Sequence, residues 1–112
     1  MSRLAAAVEA TALIRRAEAA GDFGTILRRG DPERGSLLLV VTSRGRHCGC
    51  LERMLSGDGS YQWRKVGPGD GAESADVREF LQKRGRFDED LWLLELDIAA
   101  AERFIAETTS EG

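Results

Sequence analysis

Thiol and imidazole groups lie close together in the stretch His47-Cys48-Gly49-Cys50, which is the chain's first candidate for chemistry. Such groups bind zinc, which takes about four ligands in a structural site. If the stretch is a strand, Cys48 and Cys50 share one face of the sheet and His47 points to the other. The sequence holds no second histidine and no third cysteine. We therefore predict core-facing cysteines and no catalytic, cofactor-binding or metal-binding residues, although a redox or metal role for the two thiols stays open.

Two further stretches carry weaker patterns. Asp88-Glu89-Asp90 offers hard oxygen ligands, but its spacing does not match a calcium-binding loop. The glycine-rich run 67–71 precedes a predicted helix, where backbone amides can meet a phosphate, yet it lacks the Lys-Ser/Thr ending of a phosphate-binding loop. We expect a solvated turn in the first case and a flexible connector in the second.

A third pattern alternates two aromatic residues, Tyr61 and Trp63, just before the basic pair Arg64 and Lys65. Rings on a sheet beside basic side chains can stack the bases of a single-stranded nucleic acid. The aromatic motifs of the common RNA-binding modules are missing, so packing within the sheet is the favoured interpretation. A nucleic-acid-handling domain remains the alternative function.

Composition limits the class of protein. The 112 residues fit one domain, are 42% hydrophobic and 31% charged, and contain no apolar run of the roughly 20 residues that span a bilayer. We expect a cytoplasmic protein with no membrane contact. Charge is uneven, with eight basic and five acidic side chains over 22–66 but five basic and twelve acidic over 67–112. Such asymmetry can orient a protein partner or a second copy of the chain.

Hydrophobic periodicity and turn residues predict the order α-β-β-β-β-α-β-α. The near-continuous apolar run at 37–41 indicates a strand buried on both faces, with the first helix and Val77, Phe80 and Leu81 packed against it. The natural solution is the α+β class, a single twisted and mainly antiparallel sheet with helices packed on it. The predicted elements are a helix over 3–20, strands over 23–29, 36–42, 46–55 and 60–66, a helix over 73–84, a strand over 91–96, a helix over 98–107 and a frayed tail over 108–112.

The segment from Arg86 to Leu96 resembles the closing "FDPDLWVIEVED" signature of a small alphaproteobacterial family, the domain of unknown function 1491 family. Glu89 stands where that family usually has proline. The resemblance implies a bacterial cytoplasmic protein and carries no activity with it. Further similarity in order and spacing comes from Leu13–Arg16, Gly30-Asp31, Gly35, Glu52-Arg53 and Tyr61–Trp63.

The favoured function is a small protein-interaction module that forms a homodimer. The first helix is apolar around much of its circumference, and the last strand is apolar on both faces, so each needs cover on two sides. A monomer covered by its own final helix is the competing interpretation. A degenerate relative of restriction-endonuclease-like proteins is a further alternative, since Glu52-Arg53-Met54 lacks the lysine of a nuclease strand. The candidate interaction surface comprises Leu4, Val8, Arg64, Lys65 and Trp92.

Overall fold

The computed structural model describes residues 5–55 and 57–109, with the predicted order of elements. Predicted and observed boundaries agree within three residues over the described part of the chain. The second helix ends three residues later than predicted because it continues through Gly85 to Phe87, and one glycine inside a helix costs only about 1 kcal/mol. The elements are α1 (Ala6–Ala19), β1 (Phe23–Arg28), β2 (Leu37–Ser43), β3 (Arg46–Leu55), β4 (Tyr61–Val66), α2 (Ser74–Phe87), β5 (Trp92–Asp97) and α3 (Ala101–Thr108).

The described strands form one sheet in the order β1-β5-β2-β3-β4. Strands β2, β3 and β4 make the antiparallel meander that their short connections predict. Strand β5 enters between β1 and β2, antiparallel to the first and parallel to the second. The sheet is thus mainly antiparallel, as predicted, and β1 and β4 lie at its two edges.

The core has two layers, one on each face of the sheet. Residues 37–41 of β2 are at most 4% exposed, which confirms that this strand is the most buried part of the sheet. Odd-numbered positions of the run pack against α1 and α3, and even-numbered positions pack against Val77, Phe80 and Leu81 of α2. Burial of each leucine contributes about 1.5–3 kcal/mol, so this run is a main source of stability.

A turn over residues 30–35 joins the start of α1 to the start of β5. The first amides of the helix donate to the carbonyls of Pro32 and Glu33, and the Trp92 indole donates to the carbonyl of Asp31 at 2.7 Å. Gly30 packs so closely that an added Cβ would collide with the backbone of Asp90. The turn therefore positions α1 over the β1–β5 side of the sheet.

Candidate functional site

The cysteines of β3 point to opposite layers of the core. Pairing with β2 slips by one residue between the pairs Val41–Gly49 and Thr42–His47, which leaves Cys48 in a bulge. Cys48 packs in the layer with α1 and α3, whereas Cys50 packs in the layer with α2. The prediction that the two thiols share one face is therefore wrong, because a bulge breaks the strict alternation of side chains along a strand.

Both thiols are buried, as predicted. Cys50 is 1% exposed, and this burial raises its pKa to about 11. The Cys48 thiol donates to the carbonyl of Arg46 at 3.5 Å. Among the described residues, no group of three or more His, Cys, Asp and Glu side chains could hold a metal ion.

Three contacts attach the glycine-rich run to the start of β3. The Nε2 atom of His47 lies 3.0 Å from the carbonyl of Pro68 and carries the proton, because that oxygen can only accept. The amide of Gly71 donates to the His47 carbonyl at 2.9 Å. The guanidinium of Arg46 binds both carboxylate oxygens of Asp70, at 2.7 and 3.0 Å, which lowers the pKa of Asp70. The run is thus held at several points, unlike the flexible connector expected from its composition.

A cleft of about 500 Å³ lies between this run, β3 and α3. The ammonium of Lys65 and the carboxylates of Asp70 and Glu102 line it, so its charges are mixed. Glu73 and Asp76 lie at the start of the adjoining helix α2, where their charges disfavour a phosphate. Other lining residues are Cys48, Gly49, Cys50, Val66, Gly67, Pro68, Gly69, Ile105 and Ala106.

The aromatic residues of β4 contact one buried cation. The guanidinium carbon of Arg53 lies 5.0 Å from the ring centre of Tyr61 and 5.9 Å from that of Trp63. Glu9 of α1 pairs with the same guanidinium, and the two side chains are only 14% and 11% exposed. Trp63 is half-buried against the α1 layer, which agrees with packing within the sheet.

The proposed interaction residues are scattered. Leu4 lies outside the described residues. Val8 of α1 is 53% exposed, and Arg64 and Lys65 are exposed on β4 but point to opposite faces of the sheet because they are adjacent on a strand. Trp92 is 3% exposed, and its burial does not fit an interaction surface, because β5 lies inside the sheet.

Other parts of the same chain bury both faces of β5. Leu94 and Leu96 pack with Ile98 and Ile105, and the opposite layer takes Leu93. The apolar faces of this strand therefore give no support to a dimer. This arrangement follows from the insertion of β5 between two other strands.

An exposed apolar surface lies instead on β1, where the sequence analysis did not place one. Side chains along this strand alternate between exposed and half-buried, and its pairing with β5 slips between Ile26 and Arg28, which leaves Leu27 in a bulge. Ile26 packs in the layer with α1, whereas Phe23 is 70% and Leu27 46% exposed, with Thr25 between them. The sequence signal is the presence of two large apolar residues, at positions 23 and 27, on one strand, which becomes informative only once the strand is known to be an edge.

The end of α2 extends this surface. The Arg28 guanidinium donates to the carbonyls of Asp88, Glu89 and Leu91 at 3.0–3.1 Å, which ties the residues after α2 to the end of β1. Phe87 directly precedes this anchored segment and is 78% exposed. We call the exposed side chains of Phe23, Thr25, Leu27 and Phe87 the β1 surface.

Comparison with known proteins identifies relatives over nearly the whole chain. A family described as "Protein of unknown function (DUF1491)" matches residues 4–106. A crystal structure of a DUF1491 protein from Caulobacter crescentus has 28% identity and a TM-score of 0.76, covering 87% of this chain and 90% of that one. An NMR structure of a DUF1491 protein from the same organism has 27% identity and a TM-score of 0.78, covering 90% and 91%.

A third solved structure extends the likeness to a second organism. The solution structure of protein Atu0922 from A. tumefaciens has 25% identity to the chain and a TM-score of 0.68. The match covers 86% of each chain. No curated protein matches. Among the described residues, no helix is long and apolar enough to cross a membrane.

Proposed function

Since the chain belongs to the DUF1491 family, whose function is unknown, we propose from its geometry that it is a small protein-interaction module that docks through the β1 surface. The observation that carries this proposal is the exposure of Phe23 and Phe87, at 70% and 78% of their areas. Exposed apolar side chains along one edge of a sheet are typical of protein contact sites. We take the compartment to be the cytoplasm, where free thiols such as those of this chain stay reduced.

The type of structural element also favours a protein partner. Strand β1 lies at the edge of the sheet, and an edge strand presents a row of backbone donors and acceptors that an extended segment can pair with. Apolar side chains beside such a row supply the burial that stabilises the pairing. The mixed charges of the cleft beside α3 single out no class of small molecule.

A nucleic-acid-handling role finds less support. The rings of Tyr61 and Trp63 contact the buried Arg53, and Arg64 points away from the face that carries them. Nucleic-acid affinity from basic side chains falls steeply with salt. A gel shift with short DNA or RNA that is lost with salt and in the variant Arg64→Ala/Lys65→Ala would favour this alternative over ours.

An active nuclease finds little support, although a degenerate relative without catalytic residues is compatible with the contact between Glu52 and Arg84. Glu52 of β3 is paired with Arg84 of α2 at 2.7 Å, and both side chains are largely buried. A nuclease needs such a carboxylate to hold magnesium. In this protein the guanidinium of Arg84 already pairs with the Glu52 carboxylate.

Photo-crosslinking in native cells tests the proposal. Benzoylphenylalanine replaces Phe23 in one variant and Tyr61 in another, so that each edge of the sheet carries the probe at an exposed aromatic position. We expect protein adducts from position 23 and none from position 61. Adducts from position 61 alone, or from neither position, contradict docking through β1.

A further inference from the structure

We draw no further inference here: the strongest candidate, the exposed apolar surface patch along the β1 edge of the sheet, carries nothing beyond the proposed function, because nothing in the part of the chain that the structure describes shows what covers it.

Discussion

The two edge strands of the sheet, β4 and β1, differ in the side chains that they expose to solvent. Strand β4 exposes Arg64 and Lys65, and a cation from within the protein contacts its aromatic rings. Strand β1 exposes Phe23 and Leu27 and has no charged side chain before its last residue. Charges on an edge prevent it from pairing with other chains, whereas apolar side chains favour such pairing. The difference supports the proposal that a protein partner docks at the β1 edge rather than at the β4 edge.

The edges also differ in how they are fixed to the rest of the protein. The β4 side is joined to α1 by the buried pair of Glu9 and Arg53. The β1 side depends on close packing of Gly24 against Ile14 and on the Arg28 hydrogen bonds. Removal of these contacts one at a time measures how much each edge depends on its own anchor.

The largest effect should come from Glu9→Gln. This change removes the carboxylate that pairs with the largely buried Arg53 guanidinium, which should cost about 3 kcal/mol in the free energy of unfolding. Urea denaturation measures it. The exposed pair of Arg103 and Glu107 provides the control, because Glu107→Gln should cause no measurable change. Glu9→Leu/Arg53→Met should recover most of the loss, and equal stability of Glu9→Gln and Glu107→Gln would contradict an anchoring role.

Arg28→Ala should have the next largest effect. It removes the donor for three backbone carbonyls that lie at the join between α2 and β5, at a cost of about 2 kcal/mol in unfolding free energy. Arg28→Lys should recover part of this, since an ammonium can reach fewer of the carbonyls. The control is Arg64→Ala on the other edge. A loss no larger than that of the control would show that solvent replaces these hydrogen bonds without cost.

Gly24→Ala should destabilise the protein by about 1 kcal/mol. An added Cβ lies 3.1 Å from three atoms of Ile14, including its Cα, so α1 must shift away from β1. The strand gains some backbone stability from alanine, and we expect the steric term to outweigh it. Gly57→Ala is the control, because no atom lies within 4 Å of a Cβ there. Thermal unfolding that ranks the two variants in the reverse order would argue against close contact between α1 and β1.

The smallest effect should follow Arg64→Ala/Lys65→Ala. Both side chains are exposed, so the free energy of unfolding should change by less than about 0.5 kcal/mol. The mass in solution should also stay as in the parent chain. Weaker association of this variant would indicate that the interface lies on β4 and not on β1.

Local patterns predicted the elements well. The apolar run at 37–41 marked the central strand, and the helical spacing of Val77, Phe80 and Leu81 marked the helix that covers it. The turn residues marked the short connections of the meander. These features depend on the residues within one element and its neighbours, which is why the sequence reveals them.

The pairing of strands that are far apart in the chain could not be predicted from these local patterns. The bulge at Cys48 arises from the register between β2 and β3, and the burial of Trp92 arises from the position of β5 between β1 and β2. Neither is encoded in the alternation of a single strand. Trp92, which the sequence analysis placed on the candidate interaction surface, is therefore buried. The exposed side chains of Phe23, Leu27 and Phe87 were not recognised as a surface from the sequence.

The sequence by itself determined the α+β class, the order of elements and which stretches are apolar enough to form the core. Only the tertiary structure decided that β1 is an edge, that its exposed apolar side chains are Phe23 and Leu27, and that the β4 rings contact Arg53. The physical reason is that hydrophobic periodicity reports how one element is buried. Which face or edge stays open depends on strands far apart in the chain and on the order in which they pair.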